Sequence, residues 1–217
     1  MVVAVDIDGT LYDGVEVAPD AIRELQKARD DGHMVVIVTG RRWEELGTVA
    51  PDVVRLASRA VCEEGGVMVD VATGHIRLLG DAVDDALVDA LEAAGVPMLD
   101  VGRVVVGAPT TSLELVSEVR DRVAPTRRIV INKGSVALAP PGCDKGTGLL
   151  AAVADLGLTG WPILAIGDAA NDLPMFAVAT IAVAVANADD VVRASGVTLT
   201  TAAFGAGAAE ALREFLP

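Results

Sequence analysis

Lysine and aromatic residues are scarce in this sequence of 217 residues: it has 3 lysines against 14 arginines, and aromatics make up 3%. Cysteine is scarcer still. Cys62 and Cys143 lie far apart, which excludes a disulfide framework and any cysteine-based metal spacing, and a cytoplasmic location is the expectation that follows. A long apolar run is missing as well. The richest stretch, Leu173 to Ala186, falls short of the roughly 20 residues of a membrane helix and contains Pro174, so it reads as a short helix followed by a buried strand. The opening Met1 to Asp8 has no basic leader and its apolar run stops at Asp6, which does not read as a signal peptide. Net positive charge is absent: the formal charge is −14, and nucleic acid would be repelled by such a surface. The excess acid is mostly aspartate, 20 Asp to 11 Glu. This suits a salt-rich cytoplasm and equally a GC-rich genome, and the choice between them stays open.

What is present is a rhythm of strands and helices, with 52% hydrophobic residues. Val2 to Val5 and Met34 to Val38 are short, fully apolar runs of the kind buried in parallel sheets. Between them Pro19 opens a helix that ends near Gly32, and a further helix is expected through about Ser58. A third strand is expected at Ala60 to Cys62. A hairpin follows from Val67 to Leu79. The pattern then changes: a helix at Asp81 to Ala94, a strand at Arg103 to Val106, a helix at Ser112 to Val123 and strands at Arg127 to Ile131 and Val136 to Leu138. After Pro140-Pro141-Gly142 the first rhythm returns, with a helix from Lys145, strands at Ile163 to Ile166 and Ile181 to Val185, and a last helix to Leu216. The expected fold class is α/β, a Rossmann-like doubly wound parallel sheet with an inserted α+β unit. The core is read as residues 1–80 and 141–217, and the insertion as residues 81–140.

Four segments carry chemistry. Asp6-Ile7-Asp8-Gly9-Thr10 leaves the first strand, where an open parallel sheet binds its ligands, and Gly9 lets the chain turn and present N–H groups to an anion. Taken alone it is also an Asp-rich turn. It does not fit an EF-hand loop, whose glycine stands at the sixth position. Thr39-Gly40-Arg41 ends the second strand, where a hydroxyl and a backbone N–H can hold a phosphoryl oxygen, or Thr39 can cap a helix. Lys145, in Asp144-Lys145-Gly146-Thr147, opens a helix, where the macrodipole disfavours a cation, so pairing with carboxylates or a phosphate would explain it; a solvated lysine is the alternative. Asp168, Asn171 and Asp172 follow another buried strand, with Asp172 also readable as a helix-start carboxylate. Acids converging from these strands need a cation, and oxygen-only ligands point to Mg²⁺.

Taken in order, these segments resemble the haloacid dehalogenase superfamily of phosphohydrolases, and the insertion between the second and third resembles the α+β cap of its Cof-like branch, which includes archaeal phosphoglycolate phosphatases. The resemblance implies that Asp6 is the nucleophile and forms an aspartyl phosphate, and that Asp8 is the general acid and base. It further implies phosphate or substrate binding by Thr39, Gly40, Lys145 and Asn171, and Mg²⁺ held by Asp6, Asp8 (through its carbonyl), Asp168 and Asp172. The implied substrate is a small phosphometabolite, best matched by phosphoglycolate, with a sugar phosphate or phosphomannomutase-type transfer as alternatives. A non-catalytic binding module is the reading of another class. The implied partner is that small molecule alone, with no nucleic acid and no membrane, acted on by a monomer or homodimer. Asp81 to Pro140 would act as a lid on which Arg127 or Arg128 could hold a substrate carboxylate; the alternative, for them as for Arg103, Arg120, Arg122 and Lys133, is a solvated surface charge. One departure stands out: Glu63-Glu64-Gly65-Gly66 replaces the Glu-Asn-Gly of many relatives, which puts a substrate contact from that loop in doubt.

Overall fold

The structure, a computed structural model, describes residues 1–216. Strands β1 (Val2–Val5), β2 (Met34–Val38), β3 (Arg59–Cys62), β4 (Val67–Asp70) and β5 (Ile76–Leu78) supply five strands of an eight-stranded sheet. The chain then builds a second sheet from β6 (Asp100–Val101), β7 (Val106–Pro109), β8 (Arg128–Asn132) and β9 (Ser135–Ala139). It returns to the first with β10 (Ile163–Gly167), β11 (Ile181–Ala184) and β12 (Thr198–Leu199). The large sheet runs β12-β11-β10-β1-β2-β3-β4-β5, parallel from β12 to β3 and antiparallel at β4 and β5; the small one runs β6-β7-β9-β8 and is antiparallel throughout.

Nine α-helices are seen among the described residues: α1 (Pro19–Asp30), α2 (Trp43–Val49), α3 (Pro51–Leu56), α4 (Asp85–Ala93), α5 (Leu113–Val123), α6 (Lys145–Asp155), α7 (Leu173–Val178), α8 (Asp190–Arg193) and α9 (Phe204–Phe215). Alternation along β1 sorts its side chains to two cores. Val3 and Val5 pack with Leu25 of α1, Val53 of α3 and Leu212 of α9; Val2 and Ala4 pack with Leu149 of α6 and Met175 of α7. Covering both faces explains why these strands are apolar throughout. A third core, with Leu87 and Leu91 of α4 and Val116 and Val119 of α5 against Val106, Val136 and Leu138, belongs to the small sheet. Among the described residues no helix is long and apolar enough to cross a membrane.

Three elements differ from expectation, each for a local reason. The single helix expected through Ser58 is two, because Pro51 offers no N–H and disfavours helical backbone at Ala50, whose φ is −141°. The helix expected from Asp81 starts at Asp85, where Asp84 accepts a hydrogen bond from the Ala86 N–H (2.9 Å) and caps it. The strand expected at Arg103 to Val106 is broken by a turn in which the Gly102 N–H donates to the Val105 carbonyl (2.8 Å).

Candidate active site

β1 and β10 are neighbours whose following strands lie in opposite directions along the sheet, which opens a crevice at their carboxyl ends. Asp6 follows β1 and Asp168 follows β10, so the chain order itself delivers two acids to that crevice. Gly9 turns the loop after Asp6 with φ +85°, and a Cβ there would run into the Asp168 carboxylate. Asp6, Asp168 and Asp172 are buried, with carboxylate oxygens within 4.8 Å of one another.

Lys145 accounts for much of this arrangement. It is the first residue of α6, only 1% exposed, and its Nζ lies 2.7 Å from Asp6 Oδ1 and 2.6 Å from Asp172 Oδ1. Two carboxylates explain a cation at a helix start, where the dipole opposes it. The helix is fixed by a capping box: Asp144 accepts from the Thr147 N–H (2.8 Å) while the Thr147 hydroxyl accepts from the Asp144 N–H (2.9 Å). Burial alone would push the ammonium down, but Asp172, Asp6 and Glu64 hold it above its ordinary value. Asp6 is pushed well up by burial, against Lys145 and with help from Asp172 and Asp168. Asp172 is saturated, since Oδ2 accepts from the Asp168 and Ala169 N–H groups (2.8 and 3.0 Å). Asp168 accepts from the Thr10 hydroxyl at Oδ1 (2.9 Å) and pairs with Lys133 at Oδ2.

On the other side of the crevice, Arg41 forks onto Asp8, with Nε to Oδ2 and Nη2 to Oδ1 both at 2.6 Å. Its guanidinium stands 5.9 Å above the Tyr12 ring. The Asp8 carboxylate thus lies outside the acidic trio. Thr39 is buried, and its hydroxyl accepts from the Arg41 N–H (3.2 Å). It does not cap α2, whose N-cap residue is Arg42 and has no side-chain cap. Gly40 lines the cavity described below, with Asp6, Asp8 and Arg41.

Glu63 and Glu64 take left-handed backbone, φ 50° and 55°, which is uncommon away from glycine and is held by specific contacts. Glu63 Oε2 accepts from the Val104 and Val105 N–H groups (2.8 and 3.2 Å), tying β3 to the turn before β7. Gly65 follows with φ +93°, so close to α6 that a Cβ would overlap the Asp144 carbonyl. Both oxygens of Glu64 accept from Asn171 Nδ2 (3.1 and 3.3 Å), while Asn171 Oδ1 is buried without a partner among the described residues. Asn171 is therefore joined to Glu64, not to Lys145.

Burial pushes Glu64 upward, with Lys145 and Asn171 opposing. Folding thus favours the protonated side chain: this stabilisation is present below the unfolded pKa and is lost as pH rises through the folded one. Glu64→Gln removes the buried charge and can supply a donor to Asn171 Oδ1. The variant is expected to melt above the wild type at neutral pH, with the difference closing in acid, as thermal melts at the two pH values will show.

Between the end of the large sheet and the small one lies a cavity of about 500 Å³, lined by Asp6, Asp8, Arg41 and Glu64 on one side and Asn132, Lys133 and Ser135 on the other. Arg127 does not reach it. It is buried, donates to the carbonyls of Val104 (2.6 Å) and Ala82 (2.7 Å), and so ties the connecting segments together. Arg128 bonds the Cys143 carbonyl. Lys133, in the β8–β9 turn, is the cation that the insertion brings to the site. Sequence reasoning placed it among surface charges, although its rarity in a chain of 3 lysines was a signal. Arg41 was missed as a partner of Asp8 despite adjoining Thr39-Gly40.

The chain matches the haloacid dehalogenase-like hydrolase family over residues 3–94 and 96–212. It is 34% identical to a phosphoglycolate phosphatase of Haloarcula marismortui, over 97% of this chain and 95% of that one. It is 32% identical to one of Methanothermobacter thermautotrophicus, over 99% and 98%. Among solved structures, a haloacid dehalogenase-like hydrolase from Bacteroides thetaiotaomicron superposes with a TM-score of 0.84 at 19% identity, covering 98% of both chains. The matched length and these relatives place the chain in the haloacid dehalogenase-like hydrolase family, as one of its phosphatases.

Proposed function

We propose that the protein is a Mg²⁺-dependent phosphomonoester hydrolase that works through an aspartyl phosphate on Asp6 and acts on phosphoglycolate. The observation that carries this reading is the state of the Asp6 carboxylate: Oδ1 is held by Lys145, while Oδ2 has no hydrogen-bond partner among the described residues and the side chain lines the cavity. An oriented carboxylate with one free oxygen is what a nucleophile needs. Residues 81–140 act as a lid on a core of residues 1–80 and 141–217, excluding water from the cavity.

The trio suits a hard cation, because its donors are all carboxylate oxygens. Asp6 and Asp168 would hold Mg²⁺ with the Asp8 carbonyl, and Asp172, already saturated, positions Lys145 and the turn at Asp168. When bound, the ion offsets repulsion between the phosphate dianion and the carboxylates. Asp6 Oδ2 bonds to phosphorus as the bond to the leaving oxygen breaks, and protonated Asp8 gives that oxygen its proton. Asp8 then takes a proton from water as the water oxygen bonds to phosphorus and the bond to Asp6 breaks. Both Asp8 oxygens are covered by Arg41 in this structure, so the fork opens before either proton moves. Thr39, the Gly40 N–H and Lys145 face the phosphoryl oxygens. Asn171 contributes through Glu64.

A cavity of about 500 Å³ fits a small molecule. Arg41, Arg42 and Lys133, set among six carboxylates on its walls, are its groups able to meet an anionic leaving group, and two of the relatives named above are phosphoglycolate phosphatases. The test is phosphate release from a panel of small phosphomonoesters with Mg²⁺ or EDTA, at low and multimolar salt. Release that needs Mg²⁺ and is fastest with phosphoglycolate is expected; equal release in EDTA would overturn the metal role, and preference for a sugar phosphate would overturn the substrate.

A further inference from the structure

Lys133 sits at the tip of the β8–β9 hairpin, in the turn Asn132-Lys133-Gly134. Its ammonium crosses from the small sheet to the large one and pairs with Asp168 Oδ2. It is the only lysine or arginine that the inserted segment contributes to the cavity lining. The carboxylate it holds is already committed elsewhere, because Oδ1 accepts from Thr10. Both Asp168 oxygens are therefore taken by the protein.

A divalent cation bound between Asp6 and Asp168 needs one of those oxygens. Thr10 is fully buried on the loop that leaves β1, and so is poorly placed to withdraw. Lys133 is 39% exposed on a hairpin tip and can withdraw freely. A lysine ammonium and a divalent cation also repel each other across a shared carboxylate. Once released, the ammonium remains tethered over the cavity, where a substrate's leaving group must sit, since the phosphoryl group lies against Asp6.

We infer that Lys133 is a specificity residue with two partners: Asp168 in the metal-free protein and, once Mg²⁺ is bound, the carboxylate of the leaving group. The inference rests on the phosphoglycolate reading. It makes the lid read the negative charge at the far end of the substrate, and only in protein that already holds its metal. A neutral leaving group of the same size gains nothing from it.

The experiment uses the full chain and Lys133→Met, with Lys133→Arg as a charge-retaining control. The first readout needs no substrate: Mg²⁺ affinity by calorimetric titration. Lys133→Met is expected to bind Mg²⁺ roughly tenfold more tightly than wild type, since a charged contact competing for Asp168 is gone. Unchanged affinity would overturn the exchange. No Mg²⁺ binding by either protein would overturn it together with the metal role. The second readout compares kcat/KM for phosphoglycolate with that for 2-hydroxyethyl phosphate, which replaces the carboxylate by a neutral group. Lys133→Met is expected to lower the first about tenfold, mainly through KM, and to leave the second nearly unchanged, with Lys133→Arg intermediate. An equal fall for both esters would overturn the specificity role while leaving the phosphatase reading intact. A wild-type enzyme that does not prefer phosphoglycolate would overturn the substrate reading and this assignment with it.

Discussion

Asp6→Asn is expected to lower kcat by at least about a thousandfold while leaving the protein at least as stable as the wild type. The amide has the shape of the carboxylate but is a far weaker nucleophile. Stability should not fall, because burial and the Asp172 and Asp168 carboxylates already push Asp6 upward, so that its ionised form is costly in the folded protein. Lys145 keeps its contact to Asp172 Oδ1 at 2.6 Å in either case. Phosphate release and thermal melting on the same preparation separate the two effects. An inactive protein with a lowered melting temperature would point to a structural role for Asp6, and near-normal turnover would remove it from the chemistry.

Lys145→Met is expected to be the most destabilising single change at the site. Removing one partner from a buried ion pair leaves the other uncompensated and costs about 3–5 kcal/mol. Here three buried carboxylates would face one another with Lys133 as the remaining cation paired to them. For a chain of this size that corresponds to a fall of roughly 10 °C in melting temperature. A divalent cation supplies the missing positive charge, so Mg²⁺ should restore part of the loss in Lys145→Met and add less to the wild type. Activity should fall with it, because the oxygen that Lys145 orients is on the nucleophile. Melting curves of both proteins with and without Mg²⁺ test this; a variant that melts with the wild type would mean that Lys145 contributes little to holding the trio.

The parts of the fold that were legible in the sequence are those where burial alone dictates residue type. Val2–Val5, Met34–Val38 and Ile163–Gly167 sit between two helix layers, so they are apolar without alternation and stand out. The insertion was harder to read, because β6 has two residues, both exposed, and Gly102 to Val105 turns in answer to Glu63, some forty residues away. The acids of the site were legible for a topological reason: Asp6 and Asp168 each follow a strand end, and a parallel sheet gathers such ends. Lys145 was legible as a cation at a helix start. Lys133 was not, since its neighbours in sequence form an ordinary hairpin turn and only the docking of the two sheets brings it to Asp168. The Glu64–Asn171 pair was hidden in the same way, by a separation of 107 residues.

The measurement that bears most directly on the account is the trapping of a phosphoenzyme. The protein is mixed with phosphoglycolate and Mg²⁺, quenched in acid during turnover, digested and examined by mass spectrometry. The account predicts a peptide carrying Asp6 that is heavier by one phosphoryl group, labile to hydroxylamine and absent when EDTA replaces Mg²⁺. Steady phosphate release with no modified Asp6 peptide at any quench time, or with the phosphoryl group on another residue, would contradict it.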